Sequence, residues 1–239
     1  MKLSVATHNI CHMGMDPTDR TELVNGAYRN GYDADKVPLM RVSWAAVYAP
    51  LGADLIGIQE YYPWFDNAHT IPTDGEIFRP YGLSRYGGEH GVAVAARFEL
   101  VPVSEGVFEG VSARYHQKFY LDIGGVRLAV FNAHPTPKGT EEGYRLRQAE
   151  YQALIREFQR EEYFVAFGDY NARTTEEYAP FRAAGYPMAN TGIHTVETGS
   201  MTDNIITSSN IRIGNIRLCD PAFSLSDHAV LAADIEIPD

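Results

Sequence analysis

The sequence predicts a mixed α/β (α+β) fold. Three observations lead there: apolar runs of strand length recur along the whole chain, segments with helical spacing separate several of them, and two runs are joined by a glycine pair that suits a hairpin. Hydrophobic residues make up 45% of the 239 positions and charged residues 21%, enough to build a real core. One domain spanning 1–239 is expected, because no repeat of fixed period and no Ser, Pro or Gly tract long enough for a linker interrupts the chain.

The first strand is read in LSVATHN, 3–9, and it is followed by a polar stretch, 13–36, rich in Asp, Asn and Gly. A connection that long is expected to form part of a functional rim or to be mobile. A helix is predicted over 37–49, then strands in ADLIGIQE, 53–60, and GVAVAAR, 91–97. FYLDI and VRLAVFNAH flank Gly124 and Gly125, which supply the positive φ of a tight turn, so these two strands should pair antiparallel. The clearest helix is predicted from Thr140 to Arg160. Its apolar stripe is Tyr144, Tyr151, Leu154, Ile155 and Phe158; Thr140 can cap it, and Glu141 and Glu142 suit the positive end of its dipole. YFVAFGD, a shorter helix over 175–184, DNIIT and HAVLAADIEI complete the order. Strands, helices and a hairpin together imply a mixed sheet with helices on its outer faces.

With 31 acidic against 20 basic side chains the chain carries a formal charge of −11. That balance opposes tight or processive binding to a long polyanion, whose affinity grows with each phosphate neutralised. Lys138, Arg145, Arg147, Arg173 and the 114–118 segment are candidates for a local basic lip, against the plainer reading of solvated helix faces. Cys11 and Cys219 form no CxxC pair, which argues against a disulfide framework or thiolate zinc site, and two reduced thiols are expected. No stretch approaches the roughly 18 apolar residues of a membrane span, and the N-terminus lacks the pattern of a secretory signal, so a cytoplasmic location is expected. GxSxG, GxxxxGK[ST], HExxH and GxGxxG are all absent.

The polar residues of interest fall at strand ends, where a side chain can face a cleft while the apolar run behind it packs. They are Asn9, Glu60, His134, Asp169 with Asn171, Asp203, and Asp227 with His228. Singly, an Asn or Asp there reads as a turn residue and a histidine as a structural group. Glu60 is harder to dismiss, since an acid ending an almost wholly apolar run needs a compensating charge, such as a divalent cation. Carboxylate and amide oxygens from Asn9, Glu60 and Asp227 suit Mg²⁺ or Mn²⁺. His8 alternates with Asn9 and should point to the opposite face of the strand. His12, His69, His90, His116 and His194 receive no role.

THNI, IQE, NAHPTP, GDYNA, DNII and SDHAV, in that order across nearly the whole chain, resemble the endonuclease/exonuclease/phosphatase superfamily, which includes deoxyribonuclease I, sphingomyelinases and inositol polyphosphate 5-phosphatases. The resemblance implies a deoxyribonuclease I-like four-layer sandwich of two mixed, mainly antiparallel sheets flanked by helices. It implies hydrolysis of a phosphoester by activated water with Mg²⁺ or Mn²⁺ as cofactor. Glu60 is then the main metal ligand, assisted by Asn9 and Asp227. Asp169 and Asn171 orient water or hold a phosphate oxygen. His228 is the general base or polarises the phosphate, held in its tautomer by Asp203; His134 contacts the phosphate or assists the leaving oxygen. Glu89 is the candidate partner of His134. Asn204 stands where the family often has an aromatic. The substrate is a phosphoester, either a small molecule or a nucleic acid. A silent phosphate-binding module is the reading of another class, and the complete residue set argues against it.

Overall fold

A computed structural model describes residues 1–10, 47–61, 78–88, 90–137, 139–196, 198–219 and 226–238. The strands are β1 Lys2–Asn9, β2 Leu55–Tyr61, β3 Ser84–Gly87, β4 Gly91–Ala96, β5 Val101–Phe108, β6 Ser112–Ile123, β7 Val126–Ala133, β8 Phe164–Asp169, β9 Asp203–Thr207, β10 Arg212–Cys219 and β11 Val230–Glu236. They form two sheets, a six-stranded one in the order β10-β11-β1-β2-β4-β3 and a five-stranded one in the order β5-β6-β7-β8-β9. In each sheet a single parallel pair, β1 with β2 and β7 with β8, sits among antiparallel neighbours. The expected sandwich of two mixed, mainly antiparallel sheets is the architecture found.

The two inner faces interdigitate through Leu3, Val5, Leu55, Val94, Phe119, Leu128, Val130, Val165, Phe167, Ile205 and Leu231, all buried. Contact is close at Gly57, where an added Cβ would lie 2.0 Å from the Phe167 ring; the missing side chain lets the aromatic of one sheet seat on the backbone of the other. Toward one edge this apolar filling gives way to a polar crosslink. The Gln59 amide donates to Asn132 Oδ1 at 2.7 Å, and Asn132 donates to the carbonyls of Ile58 and Ala93. Buried amides cost free energy unless paired, so this crosslink fixes the relative positions of β2, β4 and β7 directly beneath the strand ends.

The helix α1, Glu141–Phe158, covers the outer face of the five-stranded sheet with α2, Ala179–Ala183. Thr140 caps α1 by accepting from Gly143 N at 3.1 Å, and Tyr151, Leu154, Ile155 and Phe158 are buried as the stripe predicts. Tyr144 is not part of it; 44% exposed, it lies on the solvent side of the first turn. The helix expected over 175–184 is split, with a 3-10 turn at Thr175–Tyr178 leading into α2. The Gly124-Gly125 turn joins β6 to β7 with φ of 60° and 83°, and Ile123 faces Val126 across it. Of the helix expected over 37–49, only 47–49 lies within the described residues, and the 13–36 stretch lies wholly outside them.

Strands β3, β5 and β10 were not apparent from the sequence. β3, β5 and β10 are the outermost strands of their sheets, and β5 and β10 are largely exposed, so they lack the apolar alternation that marks a strand facing a core.

Candidate active site

Parallel pairing brings like ends of strands together. The C-terminal ends of β1 and β2 thus place Asn9 and Glu60 at one edge of the first sheet, and those of β7 and β8 place His134 and Asp169 at the same edge of the second. β9 and β11 run antiparallel to their neighbours, so their starts reach that edge: Asp203 pairs with Asp169, and 226–228 precede the β11 residues that face the end of β1.

Glu60 reaches the cluster through a backbone irregularity. Ile56 and Ile58 face outward and Gln59 faces the other sheet, so regular alternation would send Glu60 outward too. Instead the register against β4 shifts between Gln59 and Tyr61, Glu60 adopts φ 58°, and Tyr61 takes the buried outward position. A bulge of this kind re-aims one side chain at a cost in backbone strain. The Glu60 carboxylate then accepts from Asn9 Nδ2 at 3.2 Å.

Asp169 is the hub. Its Oδ2 accepts from Asn9 Nδ2 at 2.9 Å and lies 3.4 Å from His134 Nε2 and 3.8 Å from His228 Nε2. Its Oδ1 accepts from Asn171 N at 2.8 Å, an Asx turn that holds Asn171 at φ 55° and sends the Asn171 amide to the Pro135 carbonyl at 2.9 Å. Gly168 before it is obligatory, because a Cβ there would stand 2.2 Å from the Ala133 carbonyl oxygen.

His228 Nδ1 is 2.8 Å from Asp203 Oδ2, which also accepts from Thr202 Oγ1, while the Asp203 backbone donates to Thr195 Oγ1. Ser226 completes the support: its hydroxyl donates to the Asn9 carbonyl at 2.7 Å and accepts from His228 N at 3.1 Å. Asp227, with its side chain 47% exposed, lies beside His228, Oδ1 to Nε2 3.9 Å.

The charge states follow from these contacts. Burial opposes an ionised Asp169, but the His134 hydrogen bond, with the charge of His228 and the Asn9 amide, outweighs it and holds the carboxyl below the usual carboxylate range. Burial likewise opposes a charged His228, yet Asp203, then Asp169 and Asp227, raise its pKa to about 10. The His228–Asp203 pair therefore carries a proton at neutral pH, with the imidazolium facing Asp169. His8 is the contrast. It points to the opposite face as expected, against the Tyr48 hydroxyl at 2.9 Å, and burial with the nearby His228 lowers its pKa to about 3.

All the sequence-derived candidates within the described residues meet at this edge; Glu89 lies outside them. Ser226, Thr195 and Thr202 were not anticipated, although Ser226 stands inside the SDHAV motif, where a hydroxyl beside two charged groups was the available signal. Asn204, in place of an aromatic, is a buried clamp: its Oδ1 accepts from Asn190 N and its amide donates to the Asn190 carbonyl. Of the residues named for a basic lip, Arg114 donates from Nε to the His134 carbonyl at 2.9 Å and Arg173 is exposed, while the others within the described residues are neutralised by acids. Arg147 is buried against Glu177 at 2.6 Å and Lys118 against Glu161 at 2.6 Å, Arg145 pairs with Glu141 on the helix surface, and Lys138 lies outside the described residues.

As a place for a cation, the cluster offers the Glu60 carboxylate beside the Asn9 amide, oxygen donors of the kind a hard divalent ion takes while keeping most of its waters. Among the described residues no group of three or more His, Cys, Asp or Glu side chains is arranged to chelate a metal by itself.

Solved structures share this fold. An endonuclease/exonuclease/phosphatase from Bacteroides vulgatus superposes with a TM-score of 0.71 at 17% identity, covering 100% of both chains. Another from Beutenbergia cavernae DSM 12333 gives 0.69 at 13% identity, over 99% of this chain and 72% of that one. Humanized D. rerio TDP2 gives 0.68 at 14% identity, over 98% and 99%. No curated protein matches the sequence significantly. The model of the endonuclease/exonuclease/phosphatase family matches residues 14–228, a span that takes in every described cluster residue except Asn9, and the chain belongs to that family.

Proposed function

We propose that this chain is a hydrolase that cleaves a phosphoester with a divalent cation, Mg²⁺ or Mn²⁺, and that the whole of 1–239 serves as one catalytic domain. The observation that carries the reading is the convergence of Asn9, Glu60, His134, Asp169, Asp203 and His228 at one sandwich edge, with one acid held ionised beside an imidazole held charged. Family membership supports phosphoester hydrolysis in general.

Glu60 and Asn9, with Asp227, would hold the cation. Bound there, it supplies positive charge that polarises the phosphoryl oxygens. The Asp169 carboxylate accepts a proton from the attacking water as its oxygen bonds to phosphorus, and Asn171 orients that water. The His228 imidazolium, fixed by Asp203, donates to a non-bridging oxygen whose charge grows in the transition state. As the P–O ester bond breaks, the proton taken up by Asp169 passes by way of His134, whose Nε2 lies 3.4 Å from Asp169 Oδ2, to the leaving oxygen.

The sequence alone left His228 as base or polariser. Its proton at neutral pH supports the second role, and Asp169, held ionised beside it, is the unprotonated group that can take the proton of the water. Glu89 as a partner of His134 belongs to the same proposal.

A panel of nucleoside and simple alkyl phosphodiesters, inositol phosphates, sphingomyelin, RNA and nicked DNA, assayed with Mg²⁺, with Mn²⁺ and with chelator, tests this reading. Turnover that needs the cation and is lost in Glu60→Gln and His228→Ala supports it. Turnover unaffected by chelator, or intact in either variant, overturns it. A related structure, D. rerio TDP2, was solved with a single-strand DNA product; that neighbour supports the nucleic-acid arm of the panel, whereas the charge of −11 favours its small substrates.

A further inference from the structure

Beside the cluster, two aromatic rings from different sheets meet face to face. They are those of His90 and Tyr115, centroids 4.2 Å apart and planes 9° from parallel. His90 directly precedes Gly91, which pairs with Tyr61, the neighbour of Glu60. Tyr115 accepts from His134 N at its backbone carbonyl, 3.2 Å. The stack thus runs from the strand end that presents Glu60 to the strand end that presents His134.

The approach of the two rings is built in. Gly87 turns with φ 71° so closely over β6 that a Cβ there would meet the Gln117 amide at 1.9 Å, and Gly88 and Gly91 also have positive φ. Gln117 and Tyr115 lie two residues apart on the same face of β6, so the glycine turn that passes over the first sets His90 on the second. His90 itself is exposed. Nearby, the Arg85 guanidinium lies 4.9 Å from the centroid of the Tyr61 ring, adding positive charge to this end of the rim.

We propose that His90 and Tyr115 form a stacking ledge for the nucleobase of a small nucleoside phosphodiester whose phosphorus lies among Glu60, His134 and Asp169. The inference rests on the phosphoesterase reading and names its substrate class. A flat ring is what a flat, exposed ring recognises, and stacking a base on an aromatic side chain is worth about tenfold or more in affinity. A single ledge beside the cluster, on a chain of formal charge −11, suits one nucleoside rather than a long polyanion.

The test compares thymidine 5′-(p-nitrophenyl phosphate) with methyl p-nitrophenyl phosphate, which share a leaving group and differ in the nucleoside. The wild type should prefer the nucleoside ester about tenfold or more in kcat/KM. The ratio should stay in Tyr115→Phe and fall to about one in His90→Ala and Tyr115→Leu. A ratio of one in the wild type, or a ratio kept in His90→Ala and Tyr115→Leu while both rates fall, assigns the stack a purely structural role and overturns the ledge with the phosphoesterase reading intact. Equal preference for a phenyl ester overturns the nucleobase assignment.

If neither ester is turned over with Mg²⁺ or Mn²⁺, it is the phosphoesterase reading that fails, and the ledge is judged by binding. Titration with thymidine 5′-monophosphate should then shift the His90 and Tyr115 ring proton resonances upfield, and ribose 5-phosphate should not. Equal shifts with both ligands, or none, overturn it.

Discussion

His228 Nδ1 lies 2.8 Å from Asp203 Oδ2, although the two residues are 25 positions apart and enter the site from different sheets. Asp203 is wholly buried and opposite Asp169 in the β8–β9 ladder, so its charge is directed at one imidazole. Asp203→Asn keeps the shape and removes that charge. We expect kcat to fall about 10²- to 10⁴-fold with the far-ultraviolet circular dichroism unchanged; a fall of less than threefold in a steady-state assay would remove Asp203 from the proposal.

Glu60 is itself the left-handed residue of the bulge, and in the proposed function its carboxylate holds the cation. Calorimetric titration of the wild type with Mn²⁺ should show binding and raise the thermal midpoint, since a ligand of the folded state stabilises it. Glu60→Gln should lose both effects. Undiminished Mn²⁺ binding by the variant would place the ion elsewhere.

Gly168 pairs with Ala133 across β7 and β8, and the 2.2 Å approach of a Cβ to the Ala133 oxygen leaves backbone as the only thing that can move. Gly168→Ala should cost about 1–3 kcal/mol in urea unfolding. Because Asp169 and His134 are the next residues on the two strands, catalysis should fall with it.

Arg147 and Glu177 form a buried ion pair. Arg147 also donates to the Thr136 carbonyl, and Glu150 accepts from the Thr136 backbone and hydroxyl, so the pair and Glu150 together hold the segment that follows His134. Arg147→Met strands the Glu177 carboxylate and should destabilise by about 3–5 kcal/mol, whereas adding Glu177→Leu should restore most of the loss. Denaturant unfolding of the single and double variants measures both.

His116 packs against Phe108, and burial lowers its pKa from 6.5 despite the acid of Glu157. Below that value the unfolded chain binds a proton that the folded chain refuses. The contribution of His116 is therefore present above pH 6.5 and lost as pH falls toward its folded pKa. In His116→Gln, unfolding free energy should decline less steeply between about pH 7 and pH 5 than in the wild type.

Interior strands were legible because both faces of β1, β2, β4, β7, β8 and β11 are buried and read as near-continuous apolar runs. The edge strands β3, β5 and β10 were not, since pairing on one side alone asks little of their side chains, whereas the edge strand β9 is buried along its whole length and was legible. Tyr144 and Tyr151 show the same limit within α1: both fit a helical stripe, and only the seat of the helix on the sheet decides that Tyr151 is buried and Tyr144 exposed. Arg147 and Lys118 read as surface cations in the sequence, because the acids that neutralise them, Glu177 and Glu161, are brought to them only by the fold.

The order of residues by itself determined the family pattern and the chemistry available: acids, amides and imidazoles at the ends of apolar strands, each able to turn or to bind. Tertiary structure alone decided what they do together. The parallel pairs bring Asn9 to Glu60 and His134 to Asp169, the bulge turns Glu60 inward, and proximity of Asp203 keeps the His228 proton that solvent would remove. The reason is physical. Strand propensity is local and travels with the sequence, but a charge state is set by burial and by neighbours within a few ångströms, and those neighbours come from distant positions brought together only by folding.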